Sequence, residues 1–475
     1  MTTKELARVS RLQLRPTDRR PILLMGDLLA GVAALLGALL LWGVSSSEWL
    51  GFSREFLAAR VPFWFYLLPA CWVILMVELY DIRKASRMSS TLRGIMAAGV
   101  AGLGVYLLIY FSSAPRSLPR SGVGYFLGLV SLLTLIWRIS YIRIFNANLF
   151  MRRVLVVGGG RAGTSLLEKL REFSPPPFLV AGIVDDDPEK WGQEIAGHRV
   201  LGGAGSLVDS IAALQVSEII VAISGPMDGH MFQALLDAQE RGVGIARMQR
   251  VYEELFGRVP IFHLESDWMV RSFVEESQAS ALYLFTKRAL DIVGGLAGSL
   301  LMLVILPFII IANVLETGFP VFYFQRRSGM HDSPYNVIKF RTMQKDAEKD
   351  GVPRWTAEND ERVTRVGWFL RKTHLDELPQ FLNVLRGEMS LVGPRPERPA
   401  LIQMFQEHVP FYRARLLVKP GITGWAQIHQ DYAANVDETN EKLEFDLYYI
   451  KHRSLWLDLM VLLRTPATVL GLRGR

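Results

Sequence analysis

Asp376 and Glu377 stand side by side in KTHLDELPQFLNVL (372–385), just ahead of Pro379. Paired acids with cations nearby, and no His or Cys placed as a nucleophile, suit phosphoryl transfer in which an aspartate attacks phosphorus and holds an acyl phosphate. The cations are Lys339 and Arg341, which alternate onto one face of the strand-like YNVIKFRTM (335–343), then Arg371, and then Arg395 and Arg398 in the stiff Gly-Pro loop SLVGPRPERP (390–399). Arginine offers a planar fork to phosphate and lysine a point charge. Two carboxylates about 5 Å apart repel by roughly 3 kcal/mol at an effective dielectric near 20. A Mg²⁺ shared by Asp376, Glu377 and a diphosphate would offset that repulsion. A structural explanation competes. Leu375, Leu378, Leu382 and Leu385 recur at helical spacing and Pro379 suits a first turn, so a helix beginning near Asp376 would make both acids N-terminal caps. Each cation alone could equally be a solvated surface charge.

The elements that position these residues begin with a membrane. The chain has 475 residues, is 50% apolar and carries a net charge of +7. Its one cysteine, Cys71, excludes an intrachain disulfide and any cysteine-based zinc site. With so much apolar sequence, the basic balance points to anionic lipid or an anionic substrate rather than to nucleic acid. Four runs, Ile22 to Val44, Val61 to Tyr80, Leu92 to Phe111 and Gly122 to Ile142, have the length a bilayer requires. Lys and Arg cluster before the first run, between Arg83 and Arg93, and at Arg138, Arg143, Arg152 and Arg153. The positive-inside rule then puts the N-terminus and everything after residue 150 in the cytoplasm.

Next, VLVVGGGRAG (154–163) is an apolar β-branched run leading into Gly158-x-Gly160-x-x-Gly163 and a helical pattern, the context of a dinucleotide fingerprint. A second strand ends at Asp185, where an acid could hold a ribose. The unit is only about a hundred residues long, half of a dinucleotide fold, and its glycines could serve the tight turn alone. Farther on, Ile292 to Leu315 contains no charged residue, yet Lys287 and Arg288 precede it and Arg326, Arg327, Lys339 and Arg341 follow it. Both ends carry the inside signature, and Pro307 lies in the interior, so the expectation is a re-entrant helix over about 287–318. An ordinary fifth span is the alternative. Gly294 and Gly298 are spaced for close helix packing.

Residues 285–475 resemble the bacterial sugar transferases, the monotopic polyprenyl-phosphate phosphoglycosyl transferases. The matching blocks are Lys287-Arg288-x-x-Asp291, Phe324-Gln325-x-Arg327-x-Gly329, Lys339 to Met343, Asp360-x-Arg362-x-Thr364-x-x-Gly367, Leu375 to Gln380, Ser390 to Pro396 and Lys419-Pro-Gly421. The four preceding helices with a Rossmann-like domain resemble the long form, which initiates exopolysaccharide or O-antigen assembly. The resemblance implies that Asp376 attacks the sugar-side phosphate of a UDP-sugar, expels UMP and passes the phosphosugar to undecaprenyl phosphate. Glu377 would assist with Mg²⁺ or activate the lipid phosphate. It also implies a multi-pass protein of the bacterial inner membrane in contact with its lipids, with both soluble domains on the cytoplasmic face. A homodimer and downstream glycosyltransferases are partners open to it. Two positions depart from the family: His374 stands where serine is usual, and Leu306-Pro307 falls about one turn later than the usual Ser-Pro.

The expected organisation is a four-helix transmembrane region (1–150), a Rossmann-like α/β domain (151–250), a connector (251–284) and an α/β catalytic domain (285–475). Two rivals remain. A membrane-anchored NAD-dependent nucleotide-sugar dehydratase or epimerase needs Tyr-x-x-x-Lys in its cofactor domain, whereas the match Tyr335 to Lys339 lies far beyond the glycines in a strand-like segment. A nucleotide-sensing regulatory membrane protein would need polar groups within its spans, and Asp27 and Glu78 lie near span ends. The last apolar stretch, Leu455 to Leu472, fits either a bilayer-surface helix or a domain-packing one.

Overall fold

A computed structural model of the chain describes residues 16–45, 52–112, 119–145, 151–261, 273, 279–344, 362–430 and 436–469. It divides into two compact units, Met1–Phe256 and Gly257–Arg475.

The first unit opens with three helices long and apolar enough to cross a membrane: Arg19–Ser45, Met88–Ser112 and Arg120–Ile144. The second expected span is broken instead. Helix Arg54–Arg60 and the segment Phe63–Leu75 meet at 101°. Pro62, at the break, lacks the N–H that a continuous helix would use, and Phe63–Leu67 beyond it winds as a 3₁₀ turn that leads into the helix Leu68–Leu75. Asp27 and Arg138 lie within the bundle, both fully buried: Arg138 Nε and Nη2 donate to the Asp27 carboxylate at 3.1 and 2.5 Å, and Nη1 donates to the Leu79 carbonyl at 3.0 Å. Arg138 is therefore a neutralised interior group rather than one of the free cytoplasmic charges expected from the sequence. Glu78 pairs with Lys84 at 2.6 Å. Removing one partner of a buried ion pair strands the other, so Arg138→Met is expected to destabilise this unit by about 3–5 kcal/mol. The measurement is the thermal transition of the full-length protein in detergent, and adding Asp27→Leu should recover most of the loss.

After the bundle, strands β1 (Arg153–Val157), β2 (Leu179–Val184), β3 (Glu218–Val221) and β4 (Gly244–Arg247) form one parallel sheet in the order β2-β1-β3-β4. Val154 to Val157 are inaccessible to solvent, as a central parallel strand covered on both faces requires. Helices Arg161–Leu170 and Met248–Phe256 cover one face, and Ala204–Leu214 and Gly229–Glu240 the other. The helix Met248–Phe256 puts Met248, Val251, Tyr252 and Phe256 into that core, so the α/β unit runs several residues past the expected boundary at 250.

The expected connector is only partly a linker. Val259, Ile261 and Phe273 sit in the core of the second unit, and Val259 N–H donates to the Glu444 carbonyl at 3.0 Å. Residues 262–272 and 274–278 of the connector lie outside the described residues, as does Asp360 of the family blocks.

A helix of 37 residues, Ala281–Thr317, dominates the second unit. At 1.5 Å per residue it is about 55 Å long, and its backbone stays helical through Pro307. Both of its ends are fastened to the same unit. Near the start, Lys287 Nζ donates to Asp458 at 3.0 Å, to the Val392 carbonyl and to Tyr449; Arg288 donates to the Val384 and Leu385 carbonyls, both at 2.8 Å; Asp291 accepts from Ser390 and from Leu391 N–H. At the far end, Glu316 accepts the N–H groups of Arg365 and Val366, and Thr317 Oγ1 accepts from Arg341. Gly294 and Gly298 face Leu391 and Phe381, and a Cβ on Gly298 would overlap the Phe381 ring. The opposite face, with Leu296, Leu300, Val304, Phe308 and Ile311, is exposed, and Leu315 reaches 82%. A contiguous apolar face of this size is a surface for lipid or another apolar partner. The last helix, Leu455–Val469, serves both readings of its sequence: Leu457 and Val461 enter the core while Trp456, Leu459 and Leu463 stay exposed.

Candidate active site

Strands β5 (Phe322–Ser328) and β6 (Pro334–Phe340) form an antiparallel hairpin that sets Lys339 opposite Tyr323 and Arg327 opposite Tyr335. Helix Gln380–Arg386 is pinned to it by Asn383, whose side chain accepts from Ile338 N–H at 3.1 Å and donates to the Asn336 carbonyl at 2.8 Å. Just before that helix, Leu375–Glu377 is a 3₁₀ turn entered through His374, which is exposed and left-handed at φ 56°. The α-helix proper thus starts at Gln380 rather than near Asp376, with Pro379 as its N-cap. Neither acid caps it.

The two acids have different surroundings. Glu377 Oε1 accepts from Lys339 Nζ and from Arg395 Nη2, both at 2.7 Å. Burial alone would raise its pKa, but Arg395 and Lys339 outweigh burial and hold it far below the ordinary carboxylate range. Asp376 is 8% exposed, and among the described residues no hydrogen bond or ion pair engages its carboxylate. Burial raises its pKa, Lys339 pulls it down, and Glu377 pushes it up again. The pair therefore consists of a clamped, permanently charged glutamate and an unshared, desolvated aspartate. Such environments separate two carboxylates into different roles.

Arg371, in the last turn of helix Arg365–Lys372, donates Nε to Thr342 Oγ1 at 2.9 Å, which leaves its terminal nitrogens for an anion. Arg395 is fixed from behind: Arg415 donates to its carbonyl at 3.1 Å, and Arg327 donates to the next carbonyl, Pro396, at 3.1 Å. Arg415 is anchored in turn on Asp446 at 2.9 Å. Backbone contact between Gly393 and Gly421 explains the glycines of both loops, since a Cβ on either would collide with the other chain. Lys339, Arg371 and Arg395 thus gather around the acids. Arg398 sits at the N-cap of helix Pro399–His408. Arg341 is diverted: it donates to Thr317 Oγ1 and to the Gly318 carbonyl, closing the end of the long helix instead of joining the phosphate cations. Lys287, Arg288 and Asp291 are fasteners of that helix, as described above. Asn383, Arg415 and Thr342 were not singled out from sequence. The available signal for Asn383 was a poor helix former among leucines.

In the α/β unit, Gly163 lets helix Arg161–Leu170 approach β1 so closely that a Cβ would strike the Gly158 carbonyl; Gly160 is the N-cap of that helix. Asp185 is not free to hold a ribose. Its carboxylate accepts from Gly159 N–H at 2.6 Å and from Asp187 N–H at 2.9 Å, and it pairs with Lys190 at 3.2 Å.

The sequence matches the bacterial sugar transferase family over residues 282–471 and a CoA-binding domain family over residues 75–246. An Escherichia coli UDP-glucose:undecaprenyl-phosphate glucose-1-phosphate transferase is 35% identical over 328 residues, 66% of this chain and 67% of that one. The chain belongs to the bacterial sugar transferase family. Another relative, an Aeromonas hydrophila UDP-N-acetylgalactosamine-undecaprenyl-phosphate N-acetylgalactosaminephosphotransferase, is 39% identical over 48% of this chain, which spans only about half, 52%, of that protein. A Caulobacter vibrioides UDP-glucose:undecaprenyl-phosphate glucose-1-phosphate transferase is 40% identical over 190 residues, 69% of its length. The sugar transferase match covers every residue of the acid and cation cluster. In the glycine loop the Asp185 carboxylate sits on the Gly159 N–H, so a diphosphate bound there would have to displace it.

Proposed function

We propose that the protein transfers a sugar 1-phosphate from a UDP-sugar to undecaprenyl phosphate and releases UMP. A carboxylate oxygen of Asp376 attacks the sugar-bearing phosphorus, the bond from that phosphorus to the bridging oxygen breaks, and UMP leaves with the electron pair. A phosphate oxygen of undecaprenyl phosphate then attacks the same phosphorus, freeing the Asp376 carboxylate and giving a diphosphate-linked lipid sugar. The observation that carries the reading is the unshared, buried Asp376 beside a Glu377 already committed to Lys339 and Arg395. The relatives' names supply the substrate class, and because one takes glucose and another N-acetylgalactosamine, the sugar is left open.

Lys339, Arg395 and Arg371 would bind the donor's phosphates and orient its phosphorus toward Asp376. Among the described residues no cluster of three His, Cys, Asp or Glu could cage a metal alone. Lys339 and Arg395 take Glu377 Oε1, so Asp376 and the second Glu377 oxygen are what would hold Mg²⁺ in its usual mode, one or two carboxylates with substrate phosphates completing the shell. When bound, that ion would neutralise diphosphate charge.

The long helix supports a one-sided insertion into the membrane: both ends are fastened to one unit while its outer face is apolar. With Arg143, Arg152 and Arg153 after the last N-terminal span, the positive-inside rule favours the cytoplasmic face of the inner membrane, where sugar nucleotides are made. The test is full-length protein in lipid nanodiscs with Mg²⁺, undecaprenyl phosphate and a panel of labelled UDP-sugars. UMP release with label in the lipid fraction is expected for one sugar class. A keto-sugar or NADH in place of UMP, or no turnover with any donor, overturns the reading.

A further inference from the structure

Glu316 occupies the last turn of the long helix, the end at which a helix macrodipole disfavours an acid. Its carboxylate is used elsewhere. Oε1 accepts Arg365 N–H at 2.7 Å and Oε2 accepts Val366 N–H at 2.9 Å, so Glu316 caps the N-terminus of a neighbouring helix, Arg365–Lys372, together with the Thr364 side chain on Gly367 N–H. An exposed side chain that spends both oxygens on another element's backbone fixes that element's position along its own axis.

What that helix carries is Arg371, in the last turn at its other end. A second link runs parallel to the first. Arg341 donates to Thr317 Oγ1, the residue after Glu316, and Thr342, the residue after Arg341, accepts Arg371 Nε. Gly367 makes the close approach possible, since a Cβ there would collide with the Thr342 carbonyl. Arg371 is near enough to Asp376 to act on its charge. By contrast, Lys339 and Arg395 are held by the hairpin, Glu377 and Arg415, none of which depends on the end of the long helix.

We infer that Glu316 is a positioning residue: it transmits the seating of the long apolar helix to Arg371, so that Arg371 meets its phosphate only when that helix is in place. The inference rests on the phosphotransfer reading. It assigns Glu316 no contact with substrate. Its effect passes through Arg371 and leaves the Lys339–Glu377–Arg395 cluster intact.

The experiment is a double-substitution cycle on the full-length protein in nanodiscs, with Glu316→Ala, Arg371→Ala and both. Glu316→Ala is expected to lower turnover about tenfold, and the double variant should be no slower than Arg371→Ala alone. Glu316→Gln, which keeps one accepting oxygen, should fall between Glu316→Ala and the parent. UDP affinity should fall no further in Glu316→Ala than in Arg371→Ala, because the Lys339 and Arg395 contacts are left in place. Hydrogen exchange at the Arg365 and Val366 amides should quicken in Glu316→Ala. Losses that simply multiply in the double variant, a fall in UDP affinity beyond that of Arg371→Ala, or unaltered amide exchange would each overturn the inference. If the parent protein itself releases no UMP, the phosphotransfer reading has failed, and the exchange measurement still decides whether Glu316 clamps the helix.

Discussion

Asp376→Asn is expected to abolish turnover, by about 10⁴-fold or more, without loss of folded protein. Removing a covalent nucleophile leaves only the contribution of binding and orientation, which is why such losses are so large. Stability should respond in the opposite sense. Asp376 makes no hydrogen bond or ion pair among the described residues, and burial raises its pKa. A raised carboxyl pKa means that the folded state prefers the protonated form, so this group's stabilisation is present at low pH and is lost as pH rises through the folded pKa. At neutral pH its charge therefore opposes folding, and the neutral amide should melt no lower than the parent. Single-turnover release of UMP and a melting curve check both halves. A variant that still releases UMP at the parental rate removes Asp376 as the nucleophile, and one that melts far below the parent shows that the carboxylate holds the turn together.

Lys339→Met is expected to cost about 10²-fold in kcat/KM and to shift the pH–rate profile. The rate loss is that of one preorganised cation at a developing phosphate charge. The shift follows from the neighbours. After burial, which raises the Asp376 pKa, Lys339 is the largest influence lowering it, so losing that charge lets the pKa climb further. In the proposed mechanism the attacking form is the carboxylate, so the acidic limb of kcat/KM is expected to move to higher pH. Glu377 keeps Arg395 as a partner and should remain charged. An acidic limb that stays in place, or moves to lower pH, would show that the limb belongs to another group.

Why the acids could be found from sequence and their division of labour could not is a matter of range. Adjacent Asp376 and Glu377 are visible as letters, whereas Lys339 lies 38 residues and Arg395 18 residues from Glu377. Only the fold brings both cations onto Glu377 and leaves Asp376 alone. Arg341 illustrates the converse. Its alternation with Lys339 was real, but the long helix ends beside it and claims the guanidinium. Asp185 ends its strand where a ribose acid would, yet the loop that follows turns it back onto Gly159. In the helical bundle, length and hydropathy located the long helices, while a proline at the bend interrupted the run that composition alone made continuous. Arg138 looked like a flank charge because its partner, Asp27, is 111 residues away.

The fastening of the long helix also bears on how the chain is made. Lys287 meets Asp458, a residue synthesised 171 positions later, and Asp291 meets Ser390, 99 positions later. When the helix leaves the ribosome, nothing yet exists to hold either of its polar ends. Its final seating must therefore wait until nearly the whole second unit has emerged, so the seating of the helix and the folding of that unit are completed together.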